Sequence, residues 1–126
     1  MSTTTLIAEW ARTAGLDLGT VSPSRQVWIN LDRVRVQLLE LPSQGILLES
    51  RISDLPMAES ERDRMVHNAM LVATGRMRDS PVVLCANEDA SALVLQLQNP
   101  SGADVPTLDK ALAKLVNEVD VWRALL

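Results

Sequence analysis

Residues 25–52 constrain the fold more than any other part of the chain, because apolar and polar residues alternate through three successive segments. The first segment places Val27, Ile29 and Leu31 at every second position. The next two repeat the pattern, with apolar residues at positions 34, 36 and 38 and at 46, 48 and 52. Side chains of a strand point alternately to opposite faces, so the pattern predicts a three-stranded antiparallel meander with one buried face.

The other face of this meander carries more apolar surface than a solvated face normally does. Trp28, Leu39 and Leu47 lie among its polar residues. Two interpretations are open: another helix of the same domain covers Trp28, or the residues form an exposed patch that binds an extended or helical peptide. The open edges of such a sheet would also allow a partner strand to add to it.

Alternation also predicts how the strands pair. A hairpin closing through residues 30–33 pairs Ile29 with Val34 on the buried face and sets Trp28 opposite Arg35 on the outer face, where a cation–π contact can form. The second hairpin needs a loop of odd length, either three residues, 43–45, or five residues starting at Leu41.

The remaining patterns predict helices over residues 3–15 and 59–77 and from about residue 107 onward, with strands at 82–86 and 93–98. Ser60 and Asp63 resemble a capping box for the second helix, and Asp104 or Thr107 is expected to cap the third. The run 82–86 is apolar at every position, which predicts a strand covered on both faces. The order α-β-β-β-α-β-β-α predicts a single α+β domain, residues 1–126, with helices covering an antiparallel sheet.

The second predicted helix carries two adjacent apolar stripes, a wider arc than packing against one sheet requires. One stripe is therefore expected to meet the sheet and the other a second copy of the chain. The residues predicted for this dimer interface are Met65, Ala69, Met70, Val72 and Ala73.

Composition excludes several classes of function. The net charge is −4 with Lys and Arg scattered, and Phe and Tyr are absent, which argues against nucleic acid and anionic membranes as partners. One Cys, Cys85, and one His, His67, cannot form a disulfide framework or a zinc site, and neither a nucleophile elbow nor a phosphate-binding loop is present. We expect a cytoplasmic protein, because the sequence has neither a signal peptide nor an apolar run long enough to span a membrane. We also expect that it is not an enzyme and binds no metal or cofactor.

Several features together resemble the class I type III secretion chaperones of the Tir chaperone family. They are the short first helix ending near Gly15, the meander closed by Leu55-Pro56, the Met65-Val66 step, the hairpin over residues 81–98 and the Trp-Arg-x-Leu pattern that begins at Trp122.

The resemblance implies a bacterial homodimer that binds the N-terminal segment of a secreted effector, keeps it extended and presents it to the secretion apparatus, with the secretion ATPase as a further expected partner. It also implies that the effector lies along the sheet and the first helix. The residues expected to contact it are Leu6, Trp10, Trp28, Arg35, Leu39 and Leu47. The alternative is a regulatory or sensory protein-binding module of the same fold that has no role in secretion.

Overall fold

A computed structural model describes residues 3–16, 26–42, 45–99 and 102–126. Its elements are α1 (Thr3–Ala14), β1 (Gln26–Leu31), β2 (Val34–Glu40), β3 (Ile46–Asp54), α2 (Glu59–Arg76), β4 (Val83–Ala86), β5 (Ala92–Asn99) and α3 (Val105–Leu125). The predicted order α-β-β-β-α-β-β-α is confirmed. The predicted loop over 16–24 lies, apart from Leu16, outside the described residues.

The five strands form one antiparallel sheet in the order β1-β2-β3-β5-β4. This order places β5 inside the sheet and β4 at its edge, so the prediction that residues 82–86 form a strand covered on both faces is wrong. Val83 is 45% exposed, whereas Val94 in β5 is only 4% exposed. An uninterrupted apolar run shows that both faces of a strand are apolar, but the strand's position in the sheet decides whether those faces are covered.

The first hairpin is tighter than predicted. Leu31 pairs with Val34, so that Ile29 faces Val36, and the predicted register was wrong by two residues. Asp32 and Arg33 form the two-residue turn with φ angles of 48° and 70°. Positive φ at both central residues matches the right-handed twist of a hairpin. Because the side-chain period is two, a shift of two residues leaves every side chain on its predicted face.

The second hairpin has the longer of the two predicted loops. Glu40 pairs with Ile46, which leaves the five residues 41–45 as the connection, and the N–H of Leu41 donates to the carbonyl oxygen of Gly45 at 2.9 Å. Leu39 is directly opposite Leu47 in this register.

The core lies between one face of the sheet and the helices. α3 packs across β3 and β5, and α1 packs on α3. The buried stripe of α3 is the one that its periodicity predicts, comprising Leu108, Leu112, Leu115, Val119 and Trp122, each at most 2% exposed. None of the helices in the described part of the chain is long and apolar enough to span a membrane.

The helix caps differ from one another. Asp104 caps α3, since its carboxylate accepts the N–H of Thr107 at 3.0 Å and the hydroxyl of Thr107 at 2.6 Å. The capping box predicted for α2 is wrong: the N-cap residue is Ala58, which has no side-chain oxygen, and Ser60 already lies inside the first turn. Gly15 ends α1 as predicted, with a φ of 74°.

Candidate functional site

Trp28 is the most exposed aromatic side chain that the structure describes. The residue is 50% exposed, so the interpretation in which another helix covers it is wrong for the described residues. The guanidinium carbon of Arg35 lies 4.3 Å from the centre of the Trp28 ring, which confirms the predicted cation–π contact. Trp28 directly faces Gln37, so Arg35 reaches the ring diagonally across the hairpin.

An apolar strip continues from Trp28 along the outer face of the sheet. Leu39 and Leu47 face each other on neighbouring strands and are both half-buried. The polar residues beside them satisfy one another, since Gln96 Nε2 donates to Glu49 Oε1 at 2.8 Å. We name Trp28, Arg35, Leu39 and Leu47 the outer-face strip.

The two predicted contacts on the first helix lie elsewhere. Leu6 is 5% exposed and Trp10 is 2% exposed, and both belong to the core between α1 and the rest of the molecule. The indole N–H of Trp10 donates to Asp109 Oδ1 at 3.1 Å. The helical stripe that contains Leu6 and Trp10 is itself typical of a core, and the packing of α1 on α3 confirms that interpretation, so neither residue is open to a client.

A cleft of about 440 Å³ opens beside the outer-face strip, at the end of β3. Trp28, Arg35, Arg51, Val94 and Arg123 are among its lining residues. The pairing of β3 with β5 is irregular between positions 51 and 53, and Arg123 Nη2 donates to the carbonyl oxygen of Arg51 at 2.9 Å. An irregularity of this kind bends a strand and re-aims its side chains, which helps to form the cleft.

Arg123 was not among the predicted site residues. Its side chain reaches the cleft from the last turn of α3, 72 residues further along the chain than Arg51. The Trp-Arg pattern at the end of the chain is the sequence signal that could have drawn attention to it. Trp122 anchors this turn in the core, and Arg123 extends from it to the sheet.

A second apolar surface lies on α2. Met70 is 62% exposed and Met77 is 39% exposed. Of the other predicted interface residues, Ala69 and Ala73 are buried in the chain's own core, at 1% and 8% exposure. The remaining two, Met65 and Val72, are half-buried and packed against that core. Met70 is thus the predicted interface residue that is open to a partner.

The further exposed apolar residues that the sequence reasoning missed include Leu71 on α2 and Val83 on the edge strand β4. Leu71 lies outside both predicted stripes, and Val83 belongs to the run that was expected to be covered. An edge strand with exposed apolar side chains is a surface on which another chain can pair.

A partly buried ion pair joins the end of α2 to α3. Arg76 Nε and Nη2 donate to Glu118 Oε2 and Oε1 at 3.1 and 2.6 Å, and Glu118 is 8% exposed. The hydrogen bond with Glu118 raises the pKa of Arg76. Two parallel hydrogen bonds fix the relative orientation of the two side chains as well as their contact. The pair therefore helps to orient α2, along which Met70 and Met77 are exposed.

The cysteine and the histidine of the chain lie on separate elements, Cys85 on β4 and His67 on α2. Burial raises the pKa of the Cys85 thiol, and the charge of Glu49 raises it further, which lowers the fraction of reactive thiolate at neutral pH. His67 is exposed on α2. Within the described residues, no three His, Cys, Asp or Glu side chains are grouped closely enough to hold a metal ion.

Comparison with solved structures shows that other proteins share this fold. No curated protein matches the sequence. A chain of the ExsC–ExsE complex has a TM-score of 0.74 at 20% identity, with 100% of this chain and 97% of that chain covered. A chain of the HopA1–SchA chaperone–effector complex has a TM-score of 0.72 at 16% identity, with 96% and 92% covered.

A third similar structure is a chain of the heterodimeric ExoU–SpcU complex from the type III secretion system of Pseudomonas aeruginosa. Its TM-score is 0.69 at 20% identity, with 95% of this chain and 97% of that chain covered. At such identities the likeness establishes the shared fold. The model of the Tir chaperone protein (CesT) family matches residues 5–123. Both the family and the fold are consistent with a role other than catalysis. The match extends over nearly the whole sequence, and the chain therefore belongs to the Tir chaperone protein (CesT) family.

Proposed function

We propose that this protein is a type III secretion chaperone that binds the N-terminal segment of an effector in the bacterial cytoplasm and keeps it extended for secretion. In this proposal residues 1–126 act as one chaperone domain, without a cofactor, and hand the bound effector to the secretion ATPase. The observation that carries the proposal is the outer-face strip, an apolar track beginning at the half-exposed Trp28.

The strip has the properties that capture of an unfolded segment requires. Ordering a disordered segment costs about 2–5 kcal/mol of the gross interaction energy, so the receiving surface must offer apolar contact over several residues of the client. Trp28 and the Leu39–Leu47 pair supply that contact on consecutive strands, with Arg35 held against the indole ring. The structures of related chaperone–effector complexes support the assignment, since they have the same fold.

Formation of a homodimer through α2 and β4 is the second part of the proposal. Met70 and Met77 expose apolar surface along α2 and at its C-terminal cap, and Val83 exposes apolar surface on the edge strand β4, on the same face of the sheet as Trp28. A twofold interface uses one patch twice, so these residues would meet their own copies or one another across the axis. Dimerisation would double the track available to a client and raise the affinity through linked sites.

The test is co-expression with the product of a neighbouring gene that begins with a polar, disordered segment. We expect that segment to co-purify with this chain at a stoichiometry of two chaperones to one client. Trp28→Glu should reduce the amount of captured client several-fold and leave the dimer intact, because it removes the apolar surface of the indole ring from the outer-face strip. Met57→Glu is the matched control, since Met57 is 94% exposed and lies outside the strip.

Each outcome decides between functions. If a disordered segment is not captured but a folded partner or a small ligand is, the chain is a regulatory or sensory module and the chaperone proposal fails. If Trp28→Glu produces monomers instead of a client-binding defect, Trp28 belongs to the dimer interface and the outer-face strip is not the client site.

A further inference from the structure

Two of the arginines that line the cleft at the end of β3 have no carboxylate partner among the described residues. Arg35 stacks on Trp28, and Arg123 donates to a backbone carbonyl. Two other arginines are paired with carboxylates, Arg51 with Asp54 at 2.8 Å and Arg76 with Glu118. The cleft therefore presents two cationic groups whose charge the protein itself has not neutralised.

The acidic residues in the same cleft are already engaged. Glu49 accepts a hydrogen bond from Gln96, and the carboxylate of Asp54 binds Arg51. With Arg35, Arg51 and Arg123 set against these two carboxylates, the lining is net positive. The lining has a net charge of +1, whereas the whole chain has a net charge of −4, and Asp89, outside the lining, also interacts with Arg51.

Three apolar residues contribute to the lining of the cleft. They are the half-exposed Trp28 and the buried Val94 and Ile52, which are 4% and 8% exposed. Arg35, Arg51 and Arg123 are exposed, and a guanidinium group can form two parallel hydrogen bonds with one carboxylate. A volume of about 440 Å³ falls in the roughly 300–1,000 Å³ range of binding clefts.

We propose that this cleft recognises an aspartate or glutamate side chain of the client, placed two residues from an apolar side chain that packs on Trp28. In an extended segment two residues span about 6.8 Å and point to the same face, so both side chains can enter together. The inference rests on the proposed chaperone function and adds the chemistry of the preferred client. The preferred client segment has an apolar residue, then any residue, then an acidic residue.

The test uses two capped ten-residue peptides that differ at one position. The first is acetyl-GSTLTETLSG-amide, and the second has Gln in place of Glu. Binding is followed by the amide, indole and guanidinium resonances of the ¹⁵N-labelled protein, which detect dissociation constants up to about 5 mM. We expect the Glu peptide to bind about three- to tenfold more tightly than the Gln peptide, with the largest shifts at Trp28, Arg35 and Arg123. The preference should decline between about 50 mM and 500 mM salt because charges at the surface are screened.

Variants identify the groups responsible. Arg35→Gln and Arg123→Gln should each abolish most of the preference for Glu, whereas Arg35→Lys, which keeps the charge, should retain part of it. Arg78→Gln removes an exposed arginine outside the cleft and should leave the preference unchanged. The fold of each variant is checked from its amide spectrum, and Arg35→Gln and Arg123→Gln test the inference independently if one of them is misfolded.

The inference is overturned if the two peptides bind equally, if neither shifts the cleft resonances, or if the Arg35→Gln and Arg123→Gln variants keep the full preference. These results leave the chaperone function intact when a client still co-purifies. Failure to capture any client, by contrast, removes the proposed function itself.

Discussion

Substitution of Met70 by Arg is expected to separate the proposed homodimer into folded monomers. Met70 lies on the same edge of α2 as Met77, and the residue is 62% exposed. The side chain of the adjacent residue Ala69 points into the core and is 1% exposed. Met70 therefore contributes little to the fold of one chain, and its loss should act on association alone.

The size of the effect follows from the surface that Met70 leaves exposed. Complete burial of a Met side chain stabilises by about 1.5–3 kcal/mol, so the exposed 62% corresponds to about 1–2 kcal/mol on dimerisation. A twofold interface contains the residue twice, which gives about 2–4 kcal/mol and a dissociation constant raised about 30- to 1,000-fold. An arginine at this site also brings two like charges together across the axis, which weakens the dimer further.

Sedimentation velocity over a concentration series measures the effect, with thermal unfolding as the check on the fold. Asn68→Arg is the control, because Asn68 precedes Met70 by two residues and lies on nearly the opposite side of the helix. Ala69→Arg should instead disrupt the core and lower the unfolding temperature. The reasoning is refuted if Met70→Arg sediments as a dimer with an unchanged dissociation constant, or if the unaltered protein is a monomer throughout.

Three further predictions concern the fold. Arg33→Gly should stabilise the protein by about 0.5–1 kcal/mol in chemical unfolding, because Arg33 has a φ of 70° that favours glycine, whereas Arg33→Ala should change little. Trp122→Ala should cost about 3–5 kcal/mol in the same assay, because the side chain is 2% exposed in the core. Asp104→Ala should lower the thermal midpoint at neutral pH. The hydrogen bonds from Thr107 lower the pKa of Asp104. The stabilisation by Asp104 is therefore complete above its unfolded-state pKa and is lost as the pH falls through its folded-state pKa. The thermal midpoints of the variant and of the unaltered protein should converge in acid.

The alternation in residues 25–52 was sufficient to predict which side chains share a face. Trp28 and Arg35 were placed together on the outer face, and the structure confirms their contact although the register differs by two residues. The predicted contact remained correct despite the wrong register, because a shift of two residues leaves every side chain on the same face of the sheet. Element order and the family followed from similarly local patterns, and Asp104, which caps α3, was one of the two residues predicted as its cap.

Periodicity could not show what covers an apolar face, and this is where the predictions failed. Trp10 and Ala69 were assigned to binding surfaces, but the packing of the helices buries both. Val83 was expected to be covered and is exposed, because β5 rather than β4 occupies the inner position in the sheet.

The cleft at the end of β3 was decided entirely by tertiary structure. Arg123 and Arg51 are distant in sequence and meet because α3 crosses the sheet at a point where the pairing of β3 is irregular. Local sequence determines the secondary structure and the polarity of each face through backbone geometry. Which faces remain open, and which charges gather beside them, depends on long-range packing that no local pattern records.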